Sequence, residues 1–563
     1  MASSLSKSKQ VLFSLLTVGF VLLLLEGGTR LLEVIVPQFS LGNQFSPYVA
    51  YKNVQNVFTT GSLSGIDYYV RTQHHPYVLS SLRFRVKKPQ NTFRVFCLGG
   101  SAALGWPHPS AQSYPAYLKK KLQLLYPDKN IEVVNVAAST YASYRVKTIF
   151  DEVINYKPDL ILLYTGNNEF LERILYQPIN PLGIPWKYSA LIRTVHQSWA
   201  YFNPEKQVID VENYRPTFLI DVALGNTSAL KVSEEQYEQV VEHYRYNLTS
   251  MISEAQHNSV PIALLTVPVN VRNWRPHASV HRANLDSLSH EKWQDRFAKG
   301  IQAFQKQQYE RALPYFVQAG GIDDTHAELL YYIGKAYEYL AKERLSRSHL
   351  IGSLEADAYP FRALPRFNQI LRTLSQEYQV PLADIEQAFI NKAPMDLIGE
   401  DLMVDHVHPT VASNQLIADE VLETIWKSGI LPAREGVTSS SVRLAVPSQA
   451  EATLPLMQHL FLIYRVLLQF EKMDDLYLRC TELPDYEKGT QQYQDFMLNF
   501  DRYLEVMRPY QNLLLAQKTG RMREEFNSEE ITAIIEDYVS LSKESLAVNM
   551  SEAEVNIFVP TQR

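Results

Sequence analysis

The stretch RVFCLGGSAALGWP, residues 94–107, joins an apolar run to two glycines and a serine. The run at 95–98 is short, continuous and apolar, which is typical of a buried strand. Gly99 and Gly100 allow a sharp turn where a side chain would clash. The pattern therefore places Ser101 at the mouth of a turn before a helix, either as a nucleophile or as the cap of that helix.

Length and composition narrow the class of protein. The chain has 563 residues, 46% hydrophobic and 20% charged, which is typical of a globular protein of two or more domains. A formal charge of -6 gives no basic surface for nucleic acid. Two cysteines, Cys97 and Cys480, form no disulfide framework, and Cys97 reads as a small buried residue of the strand.

The N-terminus has the pattern of an export signal. Lys7 and Lys9 precede the uncharged run VLFSLLTVGFVLLLL at 11–25, and no small-x-small cleavage site follows it. This pattern predicts an uncleaved single-pass membrane anchor, with the remainder of the chain outside the cytoplasm. The alternative is a buried hydrophobic helix.

Beyond residue 92 the chain alternates strand and helix patterns, which predicts a parallel sheet with helices on both faces. The predicted strands are 93–98, 131–137, 158–169 with its turn, 260–270, and one within 380–389. The predicted helices are 113–127, 143–156, 233–258, 368–379 and 410–429. The predicted domain organisation begins with an anchor at 1–40 and an extended leading segment at 41–91. An α/β domain follows at 92–272 and 366–435, with insertions at 170–232 and 273–365. A linker at 436–452 then leads to a C-terminal helical region at 453–563.

The 273–365 insertion carries small and aromatic residues at tetratricopeptide spacing. Ala312, Phe316 and Ala319 match the second helix of one repeat, and Gly334 and Tyr337 match the first helix of the next. An ordinary helical hairpin is the alternative. The C-terminal region has long helical patterns and no candidate catalytic cluster, so we expect it to serve packing or partner contact.

Polar residues follow four of the predicted strands, and the carboxyl ends of parallel strands meet at one edge of a sheet. Ser101 follows the first strand and Asn135 the second, with the backbone around Thr140 beside it. The remaining two sets are Gly166, Asn167, Asn168 and Glu169 after the third strand, and Asp405, His406 and His408 after the fifth. Their convergence predicts a site at that edge.

The residue types fit acyl transfer through a serine. A serine hydroxyl needs an adjacent base, which His408 supplies, and Asp405 can hold the imidazole tautomer and stabilise the imidazolium. The Ser101 and Thr140 backbone N–H groups and the Asn168 amide are candidate oxyanion donors.

LGGS at 98–101, GNNE at 166–169 and DHVH at 405–408 resemble blocks I, III and V of the SGNH (GDSL-type) hydrolase superfamily. The resemblance covers roughly 92–168, 234–272 and 366–429. It implies a flavodoxin-like three-layer α/β/α sandwich and a Ser101–His408–Asp405 triad. It also implies an oxyanion hole of Ser101, Thr140 and Asn168, without a cofactor or metal.

The chain departs from the family pattern at three places. This chain has Gly-Gly-Ser where the family usually has Gly-Asp-Ser. It has Glu169 in place of the family's aspartate, and Thr140 in place of the block II glycine. Taken singly, Ser101 and Asp405 could be helix caps, His408 a core histidine, and Asn168 a residue that stabilises its own turn. We predict no role for His406, which we expect to be an exposed neighbour.

These observations predict a membrane-anchored, extracytoplasmic serine ester hydrolase acting on an O-acyl ester of a lipid or carbohydrate. One alternative is an O-acyltransferase acting on envelope polysaccharide, because both reactions share an acyl-serine. The other is a non-catalytic scaffold whose helical repeats bind a protein partner. A metal site is not predicted, since HEKWQDRF at 290–297 lacks the second histidine of a zinc protease.

Overall fold

The computed structural model describes most of the chain. It covers residues 7–35, 58–71, 83–139, 141–171, 189–191, 232–444, 453–467, 469–518 and 525–548. The chain divides into two compact units, one of residues 1–55 with 173–214 and one of all other residues. The predicted insertion at 170–232 lies almost wholly outside the described residues.

Helix α1, Lys7–Ile35, dominates the described part of the first unit. Its segment Phe13–Leu31 has a mean hydropathy of 1.5 and none of it is buried. Glu26 accepts hydrogen bonds from the Ser189 hydroxyl at 2.8 Å and from the backbone N–H of Ala190 at 3.0 Å. Length and composition suit this helix to crossing a membrane, and they would equally suit a signal sequence, so anchoring stays a prediction.

A five-stranded parallel sheet forms the centre of the second unit. Its strands are β4 Thr92–Gly99, β5 Asn130–Asn135, β6 Leu160–Tyr164, β7 Ile262–Leu265 and β8 Leu382–Ala383. The strand order is β5-β4-β6-β7-β8, so the first strand of the sheet lies between the second and the third. The three central strands, β4, β6 and β7, are almost wholly apolar and buried, as expected for a sheet covered on both faces.

Helices cover the two faces of this sheet. The helices of the sheet domain are α2 Ser101–Leu104, α3 Tyr114–Leu125, α4 Ser143–Val153, α5 Glu234–His257, α10 Pro365–Tyr378, α11 Ile385–Ile390 and α12 Val411–Lys427. Helix α3 packs against α12, while α5 packs against both α4 and α10. The predicted flavodoxin-like three-layer α/β/α architecture is therefore confirmed.

Two segments differ from their predicted secondary structure. The leading segment, expected to be extended without pattern, contains an antiparallel sheet of β1 Phe58–Leu63, β2 Ile66–Arg71 and β3 Arg83–Arg85. Phe58 and Phe84 of this sheet are buried and pack edge-on at 5.0 Å. The stretch 380–389, expected to contain the fifth strand, contributes only two residues to β8 before α11 begins, because Asp384 caps that helix.

The 273–365 insertion is helical, with α6 Ser287–Gln305, α7 Tyr309–Gly320, α8 Ala327–Tyr339 and α9 Glu343–Glu355. Helix α6 packs against α7 and α8 against α9, giving two adjacent helical pairs. A Cβ at Gly334 would lie 2.6 Å from Leu350, so the pair α8–α9 needs a glycine at this crossing. The tetratricopeptide assignment stays a prediction.

The C-terminal region is helical, as predicted, and packs around its own apolar cluster. Its helices are α13 Leu454–Val466, α14 Met473–Thr481, α15 Asp485–Lys488, α16 Gln491–Lys518 and α17 Ser528–Val548. The cluster joins α13, α14 and α16 to Trp274, Tyr359 and Phe361 of the insertion. Helix α13 is thereby packed against the insertion.

Candidate active site

Ser101 begins helix α2 immediately after β4, and the two preceding glycines allow close approach of the backbone. A Cβ at Gly99 would lie 2.0 Å from the Tyr164 carbonyl oxygen, and one at Gly100 would lie 2.5 Å from Asn168 Nδ2. Asn135 donates from its amide to the carbonyls of Ala103 and Leu104, both at 3.2 Å, and so closes the end of α2. The turn that carries Ser101 is therefore fixed by β5 and β6.

Three predicted residues form a continuous chain of hydrogen bonds. His408 Nε2 lies 2.8 Å from Ser101 Oγ, and His408 Nδ1 lies 2.6 Å from Asp405 Oδ2. Because an ionised carboxylate only accepts, Nδ1 carries the proton and Nε2 is left to accept from the serine hydroxyl. This is the arrangement that activates a serine nucleophile.

Asp405 and His408 lie on one hairpin that is tied to the sheet. A backbone bridge pairs Met403 with Pro409, and Val404 N–H donates to the His408 carbonyl at 2.8 Å. Asn270, just after β7, donates from its amide to the Asp405 carbonyl at 3.2 Å. The hairpin thus stands at the carboxyl edge of the sheet, as the convergence of the strand ends predicts.

The Asp405 carboxylate is fully buried and completely hydrogen-bonded. Its Oδ1 accepts from the backbone N–H of Val407 and of His408, each at 2.9 Å. Its Oδ2 accepts from two imidazoles, those of His408 and His459. Burial alone would favour the neutral acid, but the neighbouring His408 and His406, together with the hydrogen bond from His408, hold the pKa of Asp405 well below its usual value.

Asn168 is placed to serve as an oxyanion donor. Its amide donates one N–H to the Tyr141 carbonyl at 3.1 Å and packs directly against Gly100. Among the described residues, no acceptor takes the second N–H, which is the one that a ligand could use. Ser101 is the first residue of α2, so its backbone N–H has no acceptor within the helix. Thr140, the third expected donor, lies outside the described residues.

The other polar residues near the strand ends hold the scaffold. Glu169 accepts from Ser143 N–H at 2.9 Å and from Ser143 Oγ at 2.8 Å, which caps the start of α4. Asn167 Oδ1 accepts from Ala363 N–H at 3.1 Å. Gly166 packs under Tyr244, whose hydroxyl donates to the Thr165 carbonyl at 2.8 Å. The glutamate that departs from the family pattern therefore has a capping contact.

The expectation that His406 is exposed is wrong. Only 7% of its surface is accessible, and its ring stacks on Trp274 with centroids 5.1 Å apart. Burial lowers the pKa of His406, so that this imidazole is neutral at physiological pH. The alternation of the hairpin turns His406 towards the apolar cluster of the C-terminal region, which the sequence pattern does not reveal.

Sequence reasoning also missed three residues around the site. His459, in α13, lies with Nε2 2.8 Å from Asp405 Oδ2, and the Trp106 indole donates to His459 Nδ1 at 2.8 Å. Neither residue belongs to a motif, and His459 comes from the region expected to lack site residues. His108 adds a contact between its Nε2 and the Pro409 carbonyl at 3.0 Å.

Among the described residues, one group could offer three ligand atoms to a metal. Atoms of Asp405, His408 and His459 lie within 4.8 Å of one another. A metal at His459 Nε2 would require the proton to move to Nδ1, which already accepts from Trp106. The geometry fits a hydrogen-bonded network better than a metal centre.

No family model and no curated protein matches the chain. Among solved structures, the chain is similar to Axe2, an acetylxylan esterase from Geobacillus stearothermophilus, at 14% identity and a TM-score of 0.29 over 59% of this chain and 94% of that one. It is also similar to TesA, at 11% identity and a TM-score of 0.27 over 60% and 99%. A lipolytic protein of the G-D-S-L family from Desulfitobacterium hafniense gives the same four values as TesA.

Proposed function

We propose that the chain is a serine ester hydrolase that works through an acyl-serine intermediate, on an O-acyl ester of a lipid or carbohydrate. The observation that carries the proposal is the hydrogen-bonded chain from Ser101 through His408 to Asp405, with contacts of 2.8 and 2.6 Å. Ser101, which follows β4, meets Asp405 and His408 of a distant hairpin, and this joint placement distinguishes a catalytic arrangement from isolated caps or core residues.

In the proposed reaction Ser101 Oγ attacks the ester carbonyl carbon while His408 Nε2 takes the hydroxyl proton. The Asn168 amide and the Ser101 N–H donate to the oxyanion of the tetrahedral intermediate. The C–O bond to the alcohol then breaks, and His408 returns the proton to the departing alkoxide. Water attacks the acyl-serine with its proton passing to His408, and the carboxylic acid leaves as Ser101 regains its proton.

We further propose that α1 anchors the enzyme in a membrane with the sheet domain outside the cytoplasm. Support comes from the exposed apolar segment Phe13–Leu31 and from the lysines that precede it. A protease protection assay on sealed vesicles tests the orientation. Digestion of the sheet domain in sealed vesicles whose cytoplasmic face is outward would contradict it.

The catalytic proposal is tested with the full-length chain in detergent. Wild type, Ser101→Ala and the control Ser110→Ala, an exposed serine nine positions further on, are compared for p-nitrophenyl acetate hydrolysis and fluorophosphonate labelling. We expect Ser101→Ala to lose both signals and Ser110→Ala to keep both. Labelling that persists in a folded Ser101→Ala variant would assign the nucleophile to another residue.

Transfer of the acyl group to a sugar hydroxyl would use the same acyl-serine. Adding a xylo-oligosaccharide acceptor to the ester assay separates the outcomes, because transfer yields an acylated sugar and hydrolysis yields free acid. A folded wild type that is inert to ester, acceptor and fluorophosphonate alike would overturn the enzyme assignment and favour a scaffold.

A further inference from the structure

His459 connects the C-terminal helices to the catalytic carboxylate. It lies on α13, is 6% exposed, and contacts Asp405 Oδ2 at 2.8 Å through Nε2. That oxygen is also the acceptor for His408 Nδ1. The two imidazole rings stand nearly perpendicular, at 79°, with centroids 5.3 Å apart, so both nitrogens reach one oxygen without their rings clashing.

Trp106 fixes the tautomer of His459. The indole N–H can only donate, and it donates to His459 Nδ1 at 2.8 Å. Nδ1 therefore carries a lone pair and Nε2 carries the proton that is donated to Asp405. Burial lowers the pKa of His459 to about 4, which keeps the ring neutral near neutral pH. The result is a directed chain from Trp106 through His459 to Asp405.

This series of hydrogen bonds gives Asp405 a donor that the hairpin carrying Asp405 does not provide. The hairpin supplies Val407 N–H, His408 N–H and His408 Nδ1–H, and α13 supplies the fourth donor. A carboxylate held by four donors cannot rotate without breaking at least one bond to a charged group. Such a bond contributes more to stability than a bond between neutral groups.

We propose that His459 is a positioning residue of the active site, which fixes the Asp405 carboxylate and is itself set by Trp106, so that the site is complete only when α13 is docked. This proposal rests on the serine hydrolase function proposed above. Its chemical consequence is that Oδ2 shares its negative charge between two imidazole N–H donors. When the His459 donor is removed, the carboxylate attracts the proton of the His408 imidazolium more strongly.

The test compares four full-length variants in the p-nitrophenyl acetate assay. His459→Leu removes the donor, His459→Gln keeps an amide N–H at similar reach, and Trp106→Phe removes the bond that sets the tautomer. Phe461→Leu is the packing control, because Phe461 lies on α13 among Phe496, Phe500 and Tyr503, away from Asp405. Circular dichroism and urea unfolding establish that each variant is folded.

We expect His459→Leu to lower kcat/KM roughly ten- to hundredfold, the range for loss of one hydrogen bond to a charged group. Its acidic limb in the kcat/KM–pH profile should move to higher pH. His459→Gln should recover most of the rate, and Trp106→Phe should show a smaller shift in the same direction. Phe461→Leu should unfold at lower urea concentration without moving the acidic limb. Among the described residues, the titratable groups that face Asp405 are His406, His408, His459, Tyr464 of α13 and, more remotely, His108.

A folded His459→Leu variant would overturn the proposal if its kcat/KM is within twofold of wild type and its acidic limb has not moved. A Phe461→Leu variant whose acidic limb moves as far as that of His459→Leu would also overturn it. If His459→Leu does not fold, His459→Gln and Trp106→Phe decide the question by the same profile. A wild type inert to ester and fluorophosphonate overturns the hydrolase function itself. If wild type is active and the His459 and Trp106 variants keep its rate and pH profile, only the proposed role of His459 is overturned.

Discussion

Replacing Gly100 by alanine tests the assignment of Asn168 directly. Gly100 has φ -87° and ψ -160°, an extended conformation that alanine adopts, so the backbone has no reason to move. The added methyl would lie 2.5 Å from Asn168 Nδ2, where ordinary contact begins at 3.4 Å. The methyl therefore meets the Asn168 amide, which we propose as an oxyanion donor, and it replaces no atom of Ser101 or His408.

The size of the effect follows from the distance. Relieving the contact needs a shift of about 0.9 Å in the amide, the difference between 2.5 and 3.4 Å. An oxyanion donor works at about 2.7–3.1 Å, and removing one lowers kcat about 10²–10³-fold. A misplacement of about 1 Å lowers the rate about 10²-fold. We expect kcat of Gly100→Ala to fall about 10²-fold with KM little changed, because the donor acts in the transition state.

The assay is a double-mutant cycle of Gly100→Ala and Asn168→Ala on p-nitrophenyl acetate. Asn168→Ala removes the amide that the methyl strikes, so the double variant should be no slower than Asn168→Ala alone. Stopped-flow kinetics give kcat, and urea unfolding checks for a stability loss of about 1–3 kcal/mol from overpacking. Two folded single variants whose rate losses multiply in the double variant would refute the reasoning, and so would a Gly100→Ala enzyme within threefold of wild type.

Three further predictions concern the hairpin, the scaffold and pH. Asp405→Asn should lower kcat about 10⁴-fold in a folded enzyme, because an amide cannot accept all four N–H donors; steady-state kinetics test this. Glu169→Ala should lower the unfolding free energy by about 1–3 kcal/mol, measured in urea, because Ser143 at the start of α4 loses its cap. Burial lowers the pKa of His459 to about 4 and that of His277 to about 3. Between about pH 6.5 and these values, each histidine binds fewer protons in the folded state than in the unfolded state. The free energy of unfolding therefore falls by about 1.4 kcal/mol for each histidine and each unit that the pH is lowered. Burial raises the pKa of Asp357 to about 6, so between about pH 6 and 4 this carboxyl stabilises the folded state as the pH falls and offsets the loss from one histidine. The sum is still a loss of stability. A urea midpoint that rises when the pH is lowered from about 6.5 to 4.5 would contradict it.

The parallel sheet could be predicted because its central strands are buried on both faces, so that their apolar runs need no alternation. The same logic predicts the candidate site, since the glycine turn follows the first such run and GNNE follows the third. Strand β8 could not be bounded in this way. It is two residues long, and the apolar pattern of 380–389 continues through Ile385 and Phe389 into a helix.

The antiparallel sheet β1–β3 was missed for a different reason. Its first strand, FTTGSL, has one buried residue, Phe58, and an otherwise exposed face, so period-two alternation is absent. Burial of Phe58 depends on Phe84 and Tyr156, which are distant in sequence. A pattern that only tertiary contacts complete gives no local signal.

His459 could not be predicted because its role arises from the covering of Asp405. A buried carboxylate needs donors for its lone pairs, and its own hairpin supplies three. Once Trp274, Tyr464 and the rest of the C-terminal cluster pack behind the hairpin, the fourth donor must come from the covering helix itself. Helix α13 therefore excludes water from Asp405 and also replaces the water with His459. If α13 covered the hairpin with apolar side chains alone, the Asp405 carboxylate would be a buried charge with one donor missing. A helix that buries this carboxylate must therefore also carry a donor to it.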